Sequence, residues 1–300
     1  MIARLQQAIV AMLALCLVAW LAWAWPRSPA LAIGAAAVLV LGHAVFLALE
    51  FLILRRVNRA DPAPQASAIQ LVRAWWQETW VALQVFGWRQ PFLSQAVPDH
   101  IAPGTFTPGL CGVVLIHGFV CNRGIWTPWL QRLQQRGHPF VAVNLEPVFG
   151  SIDEYARTIE QAVVQVTAAS GRPPVLVCHS MGGLVARAWL RGAAADARVA
   201  HVITIGSPHG GTWLGRFSRA INARQMFLGS DWLSALGAAE AESRRKSFTC
   251  WYSNCDNIVF PASTATLAGA DNRFVPGVSH VALAFHPEVM HASLAKISAL

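Results

Sequence analysis

The stretch Pro174-Val-Leu-Val-Cys-His-Ser-Met-Gly-Gly-Leu-Val-Ala-Arg-Ala-Trp-Leu190 restricts the fold of this chain more than any other. It joins an apolar run, Val175 to Val177, to a helical pattern in which Leu184, Val185, Ala188 and Trp189 recur on one face. An apolar β-branched run suits a strand buried on both faces, as in a parallel sheet covered by helices. Between the two lies Cys178-His-Ser-Met-Gly182, a near match to G-x-S-x-G. At such a strand-to-helix corner the serine backbone is strained, and its hydroxyl stands clear above the sheet. Strand and helix backbones almost touch there, so the flanking positions need small side chains. Gly182 and Gly183 meet that need on one side, while Cys178 replaces the first glycine. Ser180 is therefore the candidate nucleophile.

The rest of the C-terminal two-thirds is patterned to match. Val113 to Ile116 is a buried strand ending in His117-Gly-Phe119, and a helix from about Ile125 to Gln135 follows. Phe140 to Val143 is the next strand and Ile152 to Ala169 the next helix; after the Ser180 turn comes Val199 to Ile205. Thr249 to Tyr252 and Arg273 to Val275 are the last strands. Alternation of this kind predicts an α/β fold over residues 106–300, with a mainly parallel sheet and helices on both faces.

The first 60 residues follow a different pattern. Residues 5 to 26 carry no charge, and a second uncharged run extends from Ser28 to Leu49, continuing apolar to Leu54 apart from Glu50. About 20 apolar residues span a bilayer, and Trp20, Trp23 and Trp25 gather where an aromatic belt would lie. Residues 1–60 are expected to form a transmembrane helical hairpin turned at Pro26-Arg-Ser-Pro29. A signal peptide cleaved at Ala30-Leu-Ala32 is the competing reading; the length of the first run and the presence of a second favour the hairpin. Arg4 precedes the first span, Arg55, Arg56 and Arg59 follow the second, and only Arg27 lies between. The positive-inside rule then places both ends and the α/β domain on the cytoplasmic side of a bacterial inner membrane. Residues 61–105 are a linker around Asp61-Pro-Ala-Pro64 and an amphipathic helix from Ser67 to Trp88. Its aromatic face suits either the lipid interface or the α/β domain.

Charge argues against nucleic acid as a partner. The net charge of +8 comes from 23 basic and 15 acidic residues and is spread along the chain, without the dense basic patch such binding needs. Mild attraction to membrane lipid headgroups is the natural reading. The six cysteines lack disulfide-framework or metal-ligand spacing, so they are expected to be buried thiols. No cofactor is expected.

A serine hydroxyl needs a base to take its proton, and that base needs a third group to hold it. Asp256 lies just past the strand Thr249 to Tyr252 in a polar loop, and His280 follows the strand from Arg273 across a glycine turn. Asp271 is the second-choice acid, although it stands before its strand. His209 falls at the correct edge, where a structural or cleft-lining role suits it. Two backbone N–H groups must hold the oxyanion. Met181 follows the nucleophile, and Phe119 sits in the loop after the first strand. His117 suits orientation of that loop.

With these residues in place, the sequence resembles the bacterial lipase branch of the α/β-hydrolase family. The resemblance rests on Val-Val-Leu-Ile-His-Gly-Phe119, Val-Cys-His-Ser-Met-Gly-Gly183, Thr-Ile-Gly-Ser-Pro-His-Gly-Gly-Thr212, and Asp256 with His280 in Gly-Val-Ser-His-Val281. It implies an α/β-hydrolase fold and hydrolysis of carboxylic esters through an acyl-enzyme, with Ser180, Asp256 and His280 as the triad. Cys178 departs from the strict motif, and the paired aspartates that bind calcium in some secreted bacterial lipases have no counterpart, so no metal is expected. Residues 212–246 then fall where lipases carry a lid. Trp213, Phe217 and Ile221 would share one helical face there, as an apolar cap or as a packed surface helix pair. With the hairpin, the chain is expected to be a membrane-anchored serine hydrolase of lipophilic esters. An acyltransferase or thioesterase would use the same triad, and a non-catalytic membrane scaffold would keep the fold alone.

Overall fold

Six strands form the centre of the molecule: β1 (Val113–Ile116), β2 (Phe140–Ala142), β3 (Val175–His179), β4 (His201–Ile205), β5 (Phe248–Tyr252) and β6 (Asp271–Phe274). They pair in the order β2-β1-β3-β4-β5-β6, and every pair is parallel. The computed structural model describes residues 1–193 and 196–300. Successive strand side chains point to opposite faces, and the burial follows that period. Val113, Leu115, Val175 and Val177 join one apolar layer with Trp126, Trp129 and the C-terminal helix Pro287–Ser298. Val114, Ile116, Leu176 and Cys178 join the other, with Ile159, Val163, Leu184 and Trp189. Each fully buried Leu, Ile or Val contributes about 1.5–3 kcal/mol. Parallel order places all the strand C-termini, and the loops that follow them, along one edge.

Two differences from the sequence pattern have local causes. The helix expected at 152–169 starts as a 3-10 turn, Ile152–Tyr155, because the Ser151 hydroxyl accepts from the Asp153 N–H, and only then becomes α-helical over Ala156–Ser170. At residues 212–246 the expected single face from Trp213 to Ile221 does not exist. A 3-10 turn, Trp213–Phe217, stops at an extended Ser218, and a separate short helix begins at Ile221. Trp213 stacks on Phe260, whereas Phe217 and Ile221 are exposed.

The N-terminal residues form two long helices, α1 (Ile2–Ala24) and α2 (Pro29–Val57). Ser28 caps α2, accepting from Leu31 N, with Pro29 opening its first turn. Both helices are long and apolar enough to cross a membrane, and Leu15, Val18, Val38 and Phe46 stand exposed on them. The open end of this hairpin is fixed to the α/β domain. Gln6 and Gln90 side chains bond at 3.0 Å, and Asn122 donates to Gln6 at 3.2 Å. At the other leg, Phe51 and Leu54 pack with Leu71, Cys255 and Phe260. Just beyond it, Asp61 accepts from the Ser263 hydroxyl at 2.7 Å.

A third helix, α3 (Ala68–Gln84), starts with a reciprocal Ser67–Gln70 capping box. It ends before the expected Trp88, widening into a π-turn over Val85–Arg89. Pro91 has no N–H to return to the carbonyl one turn back, so the regular ladder cannot continue. Leu71, Ala74, Glu78 and Thr79 are buried, and Trp75 Nε1 donates to Ala44 O of α2 at 2.7 Å. Ile69, Val72, Trp76 and Trp80 remain exposed. The helix therefore packs on the protein with one side and presents aromatic surface with the other.

Candidate active site

Ser180 occupies the single-residue corner between β3 and the helix Met181–Ala193, with φ at +55°. Val120, in the loop after β1, has φ at +53°, and among the described residues these two are the non-glycine positions in the left-handed region. Strain of this kind persists only where the surroundings enforce it, and it collects at functional sites. Close approach explains the glycines. A Cβ on Gly182 would lie 2.4 Å from the Ile116 carbonyl oxygen, and one on Gly118 would lie 2.7 Å from Ser180 Cβ. Cys178 points away from the turn into the apolar layer below, fully buried. Burial, with Cys250 nearby, pushes its thiol well above the ordinary range, so it stays protonated.

Asp256 and His280 come from the loops after β5 and β6, at the same edge of the sheet as Ser180. His280 Nδ1 lies 2.9 Å from both Oδ1 and Oδ2 of Asp256. Asp256 Oδ1 also accepts the N–H groups of Ile258 at 3.0 Å and Val259 at 2.7 Å, which fixes the carboxylate. Burial alone would lower His280, but the charge and hydrogen bond of Asp256, with smaller contributions from Glu78 and Glu50, raise it overall. The second-choice acid is elsewhere. Asp271 opens β6 at the opposite edge, opposite Thr249, and its carboxylate pairs with Arg273 at 2.8 Å. His209 is buried against Thr204 Oγ1 at 3.0 Å and Cys250 Sγ at 3.6 Å.

The loop after β1 is held by His117. Its Nε2 accepts the Leu145 N–H at 3.1 Å, so Nδ1 carries the proton and donates to the Gly118 carbonyl at 2.8 Å. Burial lowers His117 to about 4, which keeps it neutral. Phe119 follows in that loop, and Met181 begins the helix after Ser180. Neither backbone N–H donates to another backbone group within the described residues.

A profile of the alpha/beta hydrolase family matches residues 113–292. The chain belongs to that family. No curated protein matches it by sequence. The mature form of a Bacillus licheniformis lipase superposes with a TM-score of 0.59 at 15% identity, over 67% of this chain and 97% of its own. Aspergillus fumigatus lipase B superposes with a TM-score of 0.56 at 19% identity, over 68% of this chain and 57% of its own. At such identities the likeness is one of fold.

In this alpha/beta hydrolase Ser180 and His280 open into a pocket of about 200 Å³. Its wall includes Leu47 and Glu50 of α2, Glu78 and Ala82 of α3, and Phe86 just beyond α3. Residues 212–246 do not line it among the described residues. His179 lies beneath, its ring 4.7 Å from that of His280, and its Nε2 bonds the His280 carbonyl at 3.2 Å. Sequence reasoning missed Glu50, Glu78, Asn257 and His179. For Glu50 a signal existed: it is the only acid in the second apolar run, and ionisable residues in such runs mark function by default. The others carried none.

Proposed function

We propose that this hydrolase is a membrane-anchored serine esterase or lipase acting on lipophilic carboxylic esters. The observation that carries this reading is the shared pocket: Ser180 and His280 face it, Asp256 holds His280 Nδ1, and the apolar helix α2 supplies part of its wall together with α3. His280 takes the Ser180 proton as Oγ attacks the ester carbonyl carbon, and Asp256 stabilises the imidazolium. The N–H groups of Phe119 and Met181 hold the oxyanion. Collapse of the tetrahedral intermediate expels the alcohol, which takes the proton from His280. Water, deprotonated by the same histidine, then releases the carboxylic acid and restores Ser180. Leu47, Ala82 and Phe86 favour an acyl chain over a polar substrate.

A fluorophosphonate probe applied to the full-length protein tests the chemistry. Wild type is expected to label and to hydrolyse nitrophenyl esters with a preference for longer acyl chains, while Ser180→Ala does neither. Absence of labelling in folded wild type would sink the enzyme reading.

The same reading places α1 and α2 as two membrane spans. The open end of the hairpin meets the α/β domain through Gln6 on one leg and Phe51 and Leu54 on the other, and Arg55, Arg56 and Arg59 follow on that second leg. By the positive-inside rule that end lies at the cytoplasmic face of a bacterial inner membrane. In spheroplasts the α/β domain is expected to resist external protease until the membrane is permeabilised. Cleavage in intact spheroplasts would reverse the orientation.

A further inference from the structure

The wall of the catalytic pocket contains two carboxylates that the triad does not use. Glu50 comes from α2 and Glu78 from α3, and both are buried. Glu78 Oε1 accepts the Val281 N–H at 3.1 Å, and its Oε2 accepts the Ala282 N–H at 3.3 Å. These are the two residues that follow His280. Glu50 Oε2 accepts from Asn257 Nδ2 at 2.7 Å, and Asn257 Oδ1 in turn accepts the His280 N–H at 3.3 Å. Two helices thus reach, across more than 200 residues of sequence, to one turn of backbone.

Burying a carboxylate is costly unless a positive partner or several donors compensate it. Among the described residues neither Glu50 nor Glu78 forms an ion pair with Lys or Arg. A helix that served only to anchor the domain would meet it with apolar side chains, as α2 does at Phe51 and Leu54. The titratable groups facing His280 are Asp256 from the loop after β5, Glu50 from α2, Glu78 from α3 and His179 from β3. His179 is neutral, because burial and the neighbouring His280 hold it well below its ordinary value. Burial raises the Glu78 carboxyl above its ordinary range, while His280 and the Val281 and Ala282 N–H groups pull it back down; the cation that these acids can meet, and that favours their ionised form, is the imidazolium formed when Ser180 gives up its proton.

We infer that Glu50 and Glu78 are positioning residues of the catalytic apparatus: they fix the His280 turn and stabilise its imidazolium, so the N-terminal helices complete the active site. This rests on the triad reading of Ser180, Asp256 and His280. It also extends the role of α2 from anchoring to catalysis. The sign of the pH effect follows from the charges. His280 acts as base only when neutral, and nearby carboxylates favour its protonated form. Removing one carboxylate therefore lowers the His280 pKa and moves the acid limb of activity to lower pH. It also removes stabilisation from the transition state, so the plateau rate falls.

The test measures fluorophosphonate labelling rate against pH for the full-length protein in detergent. Glu50→Gln is the cleaner variant, because its amide oxygen can still accept from Asn257 and only the charge is lost. It is expected to lower the plateau about tenfold and to shift the acid limb down by about half a pH unit or more. Glu78→Gln should move the limb the same way, and Glu50→Asp, which keeps the charge, should leave it in place. If wild type and Ser180→Ala alike fail to label, the serine-enzyme reading itself is lost. Should wild type label while both Gln variants keep its acid limb, whatever their plateau, the two acids are only structural and the inference is overturned.

Discussion

If Ser180, Asp256 and His280 act as the proposed triad, Asp256→Asn is expected to lower ester hydrolysis by about four orders of magnitude, whereas Asp271→Asn is expected to leave it within about twofold. The first effect is a matter of tautomer. Asp256 presents two acceptor oxygens to His280 Nδ1, each at 2.9 Å. That arrangement keeps the proton on Nδ1, and in the proposed mechanism it leaves Nε2 as the lone pair that takes the Ser180 proton. An amide has one acceptor oxygen, and the N–H groups of Ile258 and Val259 already point at Oδ1. Those donors draw the oxygen of the substituted amide to their side and turn its NH2 toward His280. That NH2 takes the Oδ2 position, 2.9 Å from Nδ1, where an N–H would face an N–H unless the histidine presents Nδ1 as acceptor and carries its proton on Nε2, facing the nucleophile. The backbone bonds are kept, so the fold survives and the loss appears in kcat. Asp271 meets none of these conditions, since it pairs with Arg273 at the far edge of the sheet. Steady-state kinetics on a nitrophenyl ester, with circular dichroism as the folding control, separates the two. Retention of a tenth of the wild-type kcat by Asp256→Asn would remove Asp256 from the triad.

Position relative to the expected strands is what separates these two carboxylates in the sequence. It does so because strand ends in a parallel sheet decide which loops share an edge. The strands themselves are legible because runs such as Val113 to Ile116 and Val175 to Val177 are buried on both faces. The turn at Ser180 is legible because only small residues fit between touching backbones, as the 2.4 Å approach at Gly182 bears out. Val120 is not, since nothing in a β-branched residue announces a left-handed backbone. The breaks at Val85 and Ser218 depend on single turns that periodicity smooths over. Glu78 sits in an amphipathic helix where an acid would ordinarily face water. Its use as an acceptor for Val281 and Ala282 is a contact over 203 and 204 positions, and local pattern carries no information at that range.

Arg187→Met is expected to destabilise the folded protein by about 3–5 kcal/mol. Arg187 lies on the helix that follows Ser180, and its guanidinium clasps Glu240 through Nε at 2.6 Å and Nη2 at 2.8 Å. Its Nη1 also donates to the His209 carbonyl at 3.1 Å. The side chains of Arg187 and Glu240 are 3% and 1% exposed, so water cannot replace either partner. Removing the arginine leaves a buried carboxylate whose remaining cation, Arg245, stands 3.6 Å away and is itself a quarter exposed. That residual partner argues for the lower half of the range. Replacing both residues, Arg187→Met with Glu240→Met, removes charge and counter-charge together and should return most of the lost stability. Chemical denaturation in detergent, followed by tryptophan fluorescence, measures all three proteins. A single-variant loss below about 1 kcal/mol would mean that the pair is not closed in solution. The outcome bears on the segment over residues 212–246 as well. Glu240 fastens its end to the helix that follows Ser180, while Thr212 fastens its start to the Ile258 carbonyl. A segment fastened at both ends cannot swing as one flap, so any opening would have to unfold locally between Trp213 and Ala238. In the single variant that end is released, and proteolysis should move to residues 238–246 before the sheet unfolds.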